Sequence, residues 1–152
     1  MNVSMDELYS HQYWNERGYI TGLGYKLRPE QKTLRTKIYD ALVQLIVFNI
    51  SRRWGKTYVL CLYAIEQAIR KKQKIRYGAA LRDDLEEFVI PSFEQILEDC
   101  PESLKPRYIR SRKTWVFPNG SEIKLVGLDK NPNGLRGNAI NIIIIDEAGF
   151  VS

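Results

Sequence analysis

Leu45-Ile-Val-Phe-Asn-Ile-Ser-Arg-Arg-Trp-Gly-Lys-Thr57 is the stretch on which the fold turns. Residues Leu45 to Ile50 form a short β-prone apolar run without alternation, as a strand covered on both faces in a parallel sheet does. After Gly55 the pattern changes to Val59, Leu60, Leu62, Ala64, Ile65, Ala68 and Ile69. That pattern is apolar nearly all round and predicts a buried helix. Between strand and helix stand Ser51, Arg52, Arg53, Trp54 and Gly55, followed by Lys56 and Thr57. A loop at a helix N-terminus turns backbone N–H groups toward an anion, and the helix dipole favours the same charge. Gly55 permits close backbone approach. Lys56 can reach the β- and γ-phosphates of ATP, and the Thr57 hydroxyl can bind Mg²⁺. The full pattern Gly-x4-Gly-Lys-Ser/Thr is met at all but one position, since Ile50 stands where its first glycine would be.

Upstream, Pro29 suits a first helical turn, and Leu34, Ile38 and Leu42 give that helix one buried face. Downstream, Ile75 to Ala80 is a second strand. Asp83 to Glu98 is a helix with acids in its first turn, expected to kink or break at Pro91. Trp115 to Phe117 and Glu122 to Val126 flank Pro118-Asn-Gly-Ser121, and Asn-Gly is a strong hairpin signal. A loop from Asp129 to Asn138 leads to Ile142-Ile-Ile-Ile145, another buried strand, ending in Asp146-Glu147. Strands alternating with helices predict an α/β sheet with parallel core strands.

In such sheets ligands bind at the carboxyl ends of the strands, where Asp146 and Glu147 fall. Asp146 is expected to hold Mg²⁺ and Glu147 to polarise an attacking water. An Asp-Glu pair after a strand can also be a solvated turn. Its coincidence with Gly-Lys-Thr, each in strand context, favours two halves of one nucleotide site. Arg52 or Arg53 could stabilise charge on the γ-phosphate, with Arg52 preferred, or simply pair with a carboxylate.

The length of 152 residues suits one domain, and 44% apolar with 27% charged residues describes a globular chain. No stretch reaches the ~20 apolar residues of a membrane helix, and the first residues lack a signal pattern. Cys61 and Cys100 have no metal-like spacing, and the single His11 cannot build a metal cluster. The net charge of +5 permits an anionic partner. Arg70, Lys71, Lys72 and Lys74 form one basic cluster; Lys105, Arg107, Arg110, Arg112 and Lys113 form another. Each could contact a nucleic-acid backbone. For the first, the favoured reading is that it closes a helix, where cations complement the dipole.

Ser51-Arg-Arg-Trp-Gly-Lys-Thr57 resembles the divergent Walker A of the large terminase subunit of tailed phages, in which arginine follows serine and the first glycine is often lost. Leu27-Arg-Pro-Glu-Gln31 resembles that family's adenine-binding motif, Asn119-Gly-Ser-Glu-Ile-Lys-Leu125 the hairpin before Walker B, and Leu135-Arg-Gly-Asn138 with Ile145-Asp-Glu-Ala148 the run into it. The resemblance spans roughly residues 25 to 150. It implies that Gln31 recognises adenine and that Arg52 is a cis-acting arginine. It also implies a P-loop NTPase fold of the ASCE type, with a mainly parallel sheet, helices on both faces and a β-hairpin insertion. The implied work is ATP hydrolysis driving double-stranded viral DNA into a procapsid in the host cytoplasm. Implied partners are the portal protein, the small terminase subunit and further copies in a homo-oligomeric ring.

Residues 1–25 read as a polar and aromatic extension, and residues 26–152 as a partial P-loop ATPase domain without the family's nuclease domain. The chain ends five residues after Glu147, so it reads as truncated after the Walker B strand. The resemblance implies a further strand between the Walker A and Walker B strands. Without it both neighbours are expected to present unpaired backbone groups, each costing about 1–3 kcal/mol, and the chain alone is expected to fold poorly or lack robust ATPase activity. A superfamily-2-type helicase or translocase fragment is the runner-up, since it shares an upstream glutamine and an Asp-Glu pair. A non-catalytic nucleotide- or DNA-binding remnant is the third reading.

Overall fold

The computed structural model describes residues 26–33, 45–48, 55–137 and 139–146. Strands β1 (Leu45–Phe48), β2 (Lys74–Ala79), β3 (Arg107–Ile109), β4 (Thr114–Val116), β5 (Glu122–Gly127) and β6 (Ile142–Asp146) form one sheet. Their order is β1-β6-β2-β5-β4-β3. The pairs β1–β6, β6–β2 and β2–β5 are parallel, whereas β5–β4 and β4–β3 are antiparallel. Helix α1 (Lys56–Arg70) comes next in the chain after β1 among the described residues. Helix α2 runs from Arg82 to Asp99 through α, π, α and 3-10 segments. A helical segment at 29–33 confirms the start at Pro29, but Leu34, Ile38 and Leu42 lie outside the described residues.

Two expectations are corrected. The expected gap beside the Walker A strand is closed, because β1 and β6 pair directly in the register Leu45↔Ile143 to Phe48↔Asp146. Each strand meets the other's backbone groups, so the inner edges expected to be unpaired are satisfied. The hairpin is not an insertion either: β5 itself pairs with β2 and extends the parallel core, while β4 and the unforeseen β3 continue the sheet beyond it. Helices α1 and α2 share one face, since one core cluster holds Leu60, Leu62 and Phe93 together with Ile75, Tyr77, Ile123, Leu125, Ile142 and Ile144; the expectation of helices on both faces rests partly on residues 34–42, which lie outside the described residues. No helix covers the other face among the described residues. There Gly78 lies under Leu135 and Leu128, side chains of the 128–140 loop.

Pro91 does not break α2. Leu85–Val89, immediately before it, form a π-helical segment, and Pro91 sits at the start of the α segment Ile90–Ile96. A proline lacks its own N–H and crowds the carbonyl four residues back. A π turn loosens that part of the ladder. Phe93 then reaches the sheet, packing edge-on to Tyr77 at 6.1 Å and beside Trp115 at 5.6 Å.

The hairpin turn also finishes α1. Gly120, at φ 91, occupies the left-handed region that glycine tolerates, and its N–H bonds Phe117 O at 2.9 Å. Asn119 Nδ2 donates to Ala68 O at 2.8 Å, and Ser121 Oγ lies 2.6 Å from Ala68 O and 3.0 Å from Lys71 O. These side chains satisfy carbonyls that a helix C-terminus leaves open. Arg70, Lys71 and Lys72 stand at that same end, where the dipole favours cations.

Candidate functional site

Helix α1 begins at the C-terminal end of the parallel strands. Its N-cap is Gly55 at φ 79, and a Cβ there would come within 2.5 Å of Gln31 Nε2 and 2.9 Å of an Arg28 guanidinium nitrogen. A side chain at position 55 is therefore excluded by backbone conformation and by space alike. Gln31 is buried against this turn. Its Nε2 donates to Gly55 O at 3.2 Å, and its Oε1 accepts from Arg28 N at 2.9 Å.

The first two residues of α1 meet the last residue of β6. Lys56 is fully buried, and its Nζ lies 2.6 Å from Asp146 Oδ1. Thr57 Oγ1 donates to Asp146 Oδ2 at 2.7 Å. Tyr77 OH, from the middle of the adjacent strand β2, donates to the same oxygen at 3.0 Å. The carboxylate is thus held by a cation and two hydroxyls. Burial pushes the Asp146 carboxyl upward, but the hydrogen bonds from Lys56, Thr57 and Tyr77 and the lysine charge outweigh it and hold the group below its ordinary value. Burial, together with the charges of Cys61 and Asp146, pushes the Tyr77 hydroxyl well up, so it stays a donor.

Lys56, Thr57, Gly55 and Asp146, read from distant stretches of sequence, are therefore one cluster, with Gln31 on its rim. Ser51, Arg52, Arg53, Trp54 and Glu147 lie outside the described residues. Tyr77 escaped the sequence reading. It stands in a strand whose other core positions are apolar, and no spacing links it to Asp146, 69 residues away.

The donor set fits Mg²⁺ and a polyphosphate. Thr57 and Asp146 offer one hydroxyl and one carboxylate, a small oxygen set of the kind Mg²⁺ accepts because it keeps waters and substrate oxygens. A 15-residue helix opens beside them with its positive end. No three-ligand His, Cys, Asp or Glu cluster occurs among the described residues. Cys61 and Cys100 are free and buried, and burial pushes the Cys100 thiol up to about 12.

Residues 47–152 match the family described as terminase large subunit, T4likevirus-type, N-terminal. The chain belongs to the terminase large subunit family. It is 34% identical over 111 residues to tripartite terminase subunit 3 of Human herpesvirus 1 (strain 17), covering 69% of this chain and 15% of that protein. The subunit of the same name from Varicella-zoster virus (strain Dumas) is 33% identical over 111 residues, covering 69% and 14%. The terminase chain thus spans about 15% of the length of the curated relatives it matches. The large terminase ATPase domain of Thermus phage P74-26 shares its fold, with a TM-score of 0.57 and 22% identity over 86% of this chain and 57% of that one. Among the described residues no helix is long and apolar enough to cross a membrane.

Proposed function

We propose that residues 26–152 are the ATPase part of a packaging motor, in which ATP hydrolysis drives double-stranded viral DNA into a procapsid. The observation that carries this reading is the meeting of Lys56 and Thr57, at the head of α1, with Asp146, at the tip of the paired strand β6. Family membership supplies the packaging context. It also removes the reason for the helicase alternative.

In this reading Gly55 and the loop from Ser51 to Trp54 cradle the phosphates, and Gln31 recognises adenine beside them. Lys56 exchanges its partner at Asp146 for the β- and γ-phosphate oxygens, which frees the carboxylate. Thr57 and Asp146 would hold Mg²⁺, which would neutralise phosphate charge. Glu147 orients and polarises the attacking water, and Arg52 offsets charge developing on the γ-phosphate. Tyr77 keeps the Asp146 carboxylate oriented through its hydroxyl. Portal protein, small terminase subunit and sister copies in a ring are the partners this activity requires.

Binding of a fluorescent ATP analogue and release of phosphate test the reading together. Lys56→Ala is expected to abolish both. Glu147→Gln is expected to retain binding while lowering turnover by on the order of a hundredfold or more, the scale of a lost general base. Unchanged nucleotide binding by Lys56→Ala would overturn the site. Binding without turnover in the parent chain would leave a nucleotide-binding module in place of an enzyme.

A further inference from the structure

The face of the sheet turned away from α1 carries a groove of about 460 Å³. One row of residues crosses its floor. In register, Arg76, Lys124 and Thr114 stand side by side on β2, β5 and β4. Arg76 and Lys124 are therefore neighbours on hydrogen-bonded strands, about 4.8 Å apart at the backbone, and both are half-buried. Like charges set directly opposite each other weaken a sheet. Neither forms an ion pair among the described residues. The groove's carboxylate, Glu122, approaches Arg112 instead, at 3.8 Å.

The cations continue past this pair. Lys74 lies at one end of the groove, and Arg82 and Lys130 lie at the other. A free nucleotide would leave most of these cations unused, whereas a polymer carrying many phosphates would engage them together.

We propose that this groove binds the phosphodiester backbone of double-stranded DNA, with Arg76 and Lys124 as its central contacts. The identity of the polyanion rests on the packaging reading, while the charge arrangement stands without it. The Arg76 fork can take two oxygens of one phosphate, and Lys124 adds a point charge beside it. A phosphate between them removes the mutual repulsion that the empty row carries.

Fluorescence anisotropy of a short labelled duplex of arbitrary sequence, with the 152-residue chain, tests this between about 50 and 200 mM salt. The pair Arg76→Gln and Lys124→Gln is expected to weaken binding on the order of tenfold at the lower salt and to reduce the log–log salt slope by about two, near 0.9 per lost contact. The pair Lys71→Gln and Lys72→Gln, with the same change of charge at the far end of α1, is expected to bind nearly as the parent does. The exchange Arg76→Lys with Lys124→Arg is expected to keep the parent slope. Parent-like binding by the first pair overturns the proposal. Equal losses from both neutralised pairs overturn it in favour of net charge alone, and loss in the exchange variant overturns it in favour of a structural role. Displacement of the duplex by low concentrations of inorganic pyrophosphate overturns it in favour of a small phosphorylated ligand. The ATP analogue is measured on the same proteins. Its retention by the neutralised pair, with DNA binding lost, assigns the groove. Failure of the parent to bind the analogue sinks only the nucleotide site.

Discussion

On one face of the sheet Ile75, Tyr77, Ile123, Leu125, Ile142 and Ile144 are sealed beneath α1 and α2; on the other Arg76, Lys124, Ile143 and Ile145 keep partial exposure. The two faces come from the same strands, one residue apart, because successive side chains of a strand point to opposite sides. Both faces hold charge, but they treat it differently. Under the helices Lys56 and Asp146 are buried as a pair, each compensating the other, with two hydroxyls satisfying a carboxylate oxygen. On the open face two cations stand together without a carboxylate between them. Charge on the buried face is thus internally balanced, whereas the central pair on the open face is not.

Breaking the buried pair gives the largest effect. Lys56→Ala is expected to lower unfolding free energy by about 3–5 kcal/mol, because it leaves a buried carboxylate uncompensated. Adding Asp146→Leu is expected to recover most of that loss, and urea denaturation of both proteins measures it. The same pair sets an acid limit. The native carboxyl is held below the ordinary 3.8, so its contribution is complete above that value and fades as pH falls through it and below. Urea midpoints followed from about pH 5 to pH 2 should fall less steeply for Asp146→Asn than for the parent.

A smaller effect belongs to the cap shared by the hairpin and α1. Ser121→Ala strips a buried hydroxyl from Ala68 O and from the Gln73 N–H, which donates to it at 3.0 Å. The expected loss is about 1–3 kcal/mol, read as a lower melting temperature with no change in nucleotide binding. The smallest change should have the opposite sign. Arg76→Glu turns the repelling pair on the open face into an attracting one, and is expected to stabilise the chain by about 0.2–1 kcal/mol. A drop in stability there would show that Arg76 is already neutralised, and the contrast between the faces would dissolve.

Much of the site could be read from residues close together in sequence. Gly55-Lys-Thr57 between a strand and a helix, and Asp146 at the end of an isoleucine run, identify themselves through local chemistry. Asn119-Gly120 likewise announced the hairpin, because only a few residues tolerate positive φ. The three-residue strand β3 left no such mark, since Arg107-Tyr-Ile109 is too short to show alternation. Nor did the sequence show that Asn119 and Ser121 reach Ala68, some fifty residues back.

The sequence by itself singled out the candidates for phosphate and metal chemistry, most of the strands, and the hairpin turn. These depend on side-chain type and on periods of two or 3.6 residues, both local properties. Only the tertiary structure decided that β1 and β6 lie side by side, that Tyr77 completes the hold on Asp146, and that Arg76 and Lys124 share a row. Those facts depend on strand order and register. Both are chosen by the packing of the whole sheet against its helices, and no short stretch of chain encodes them.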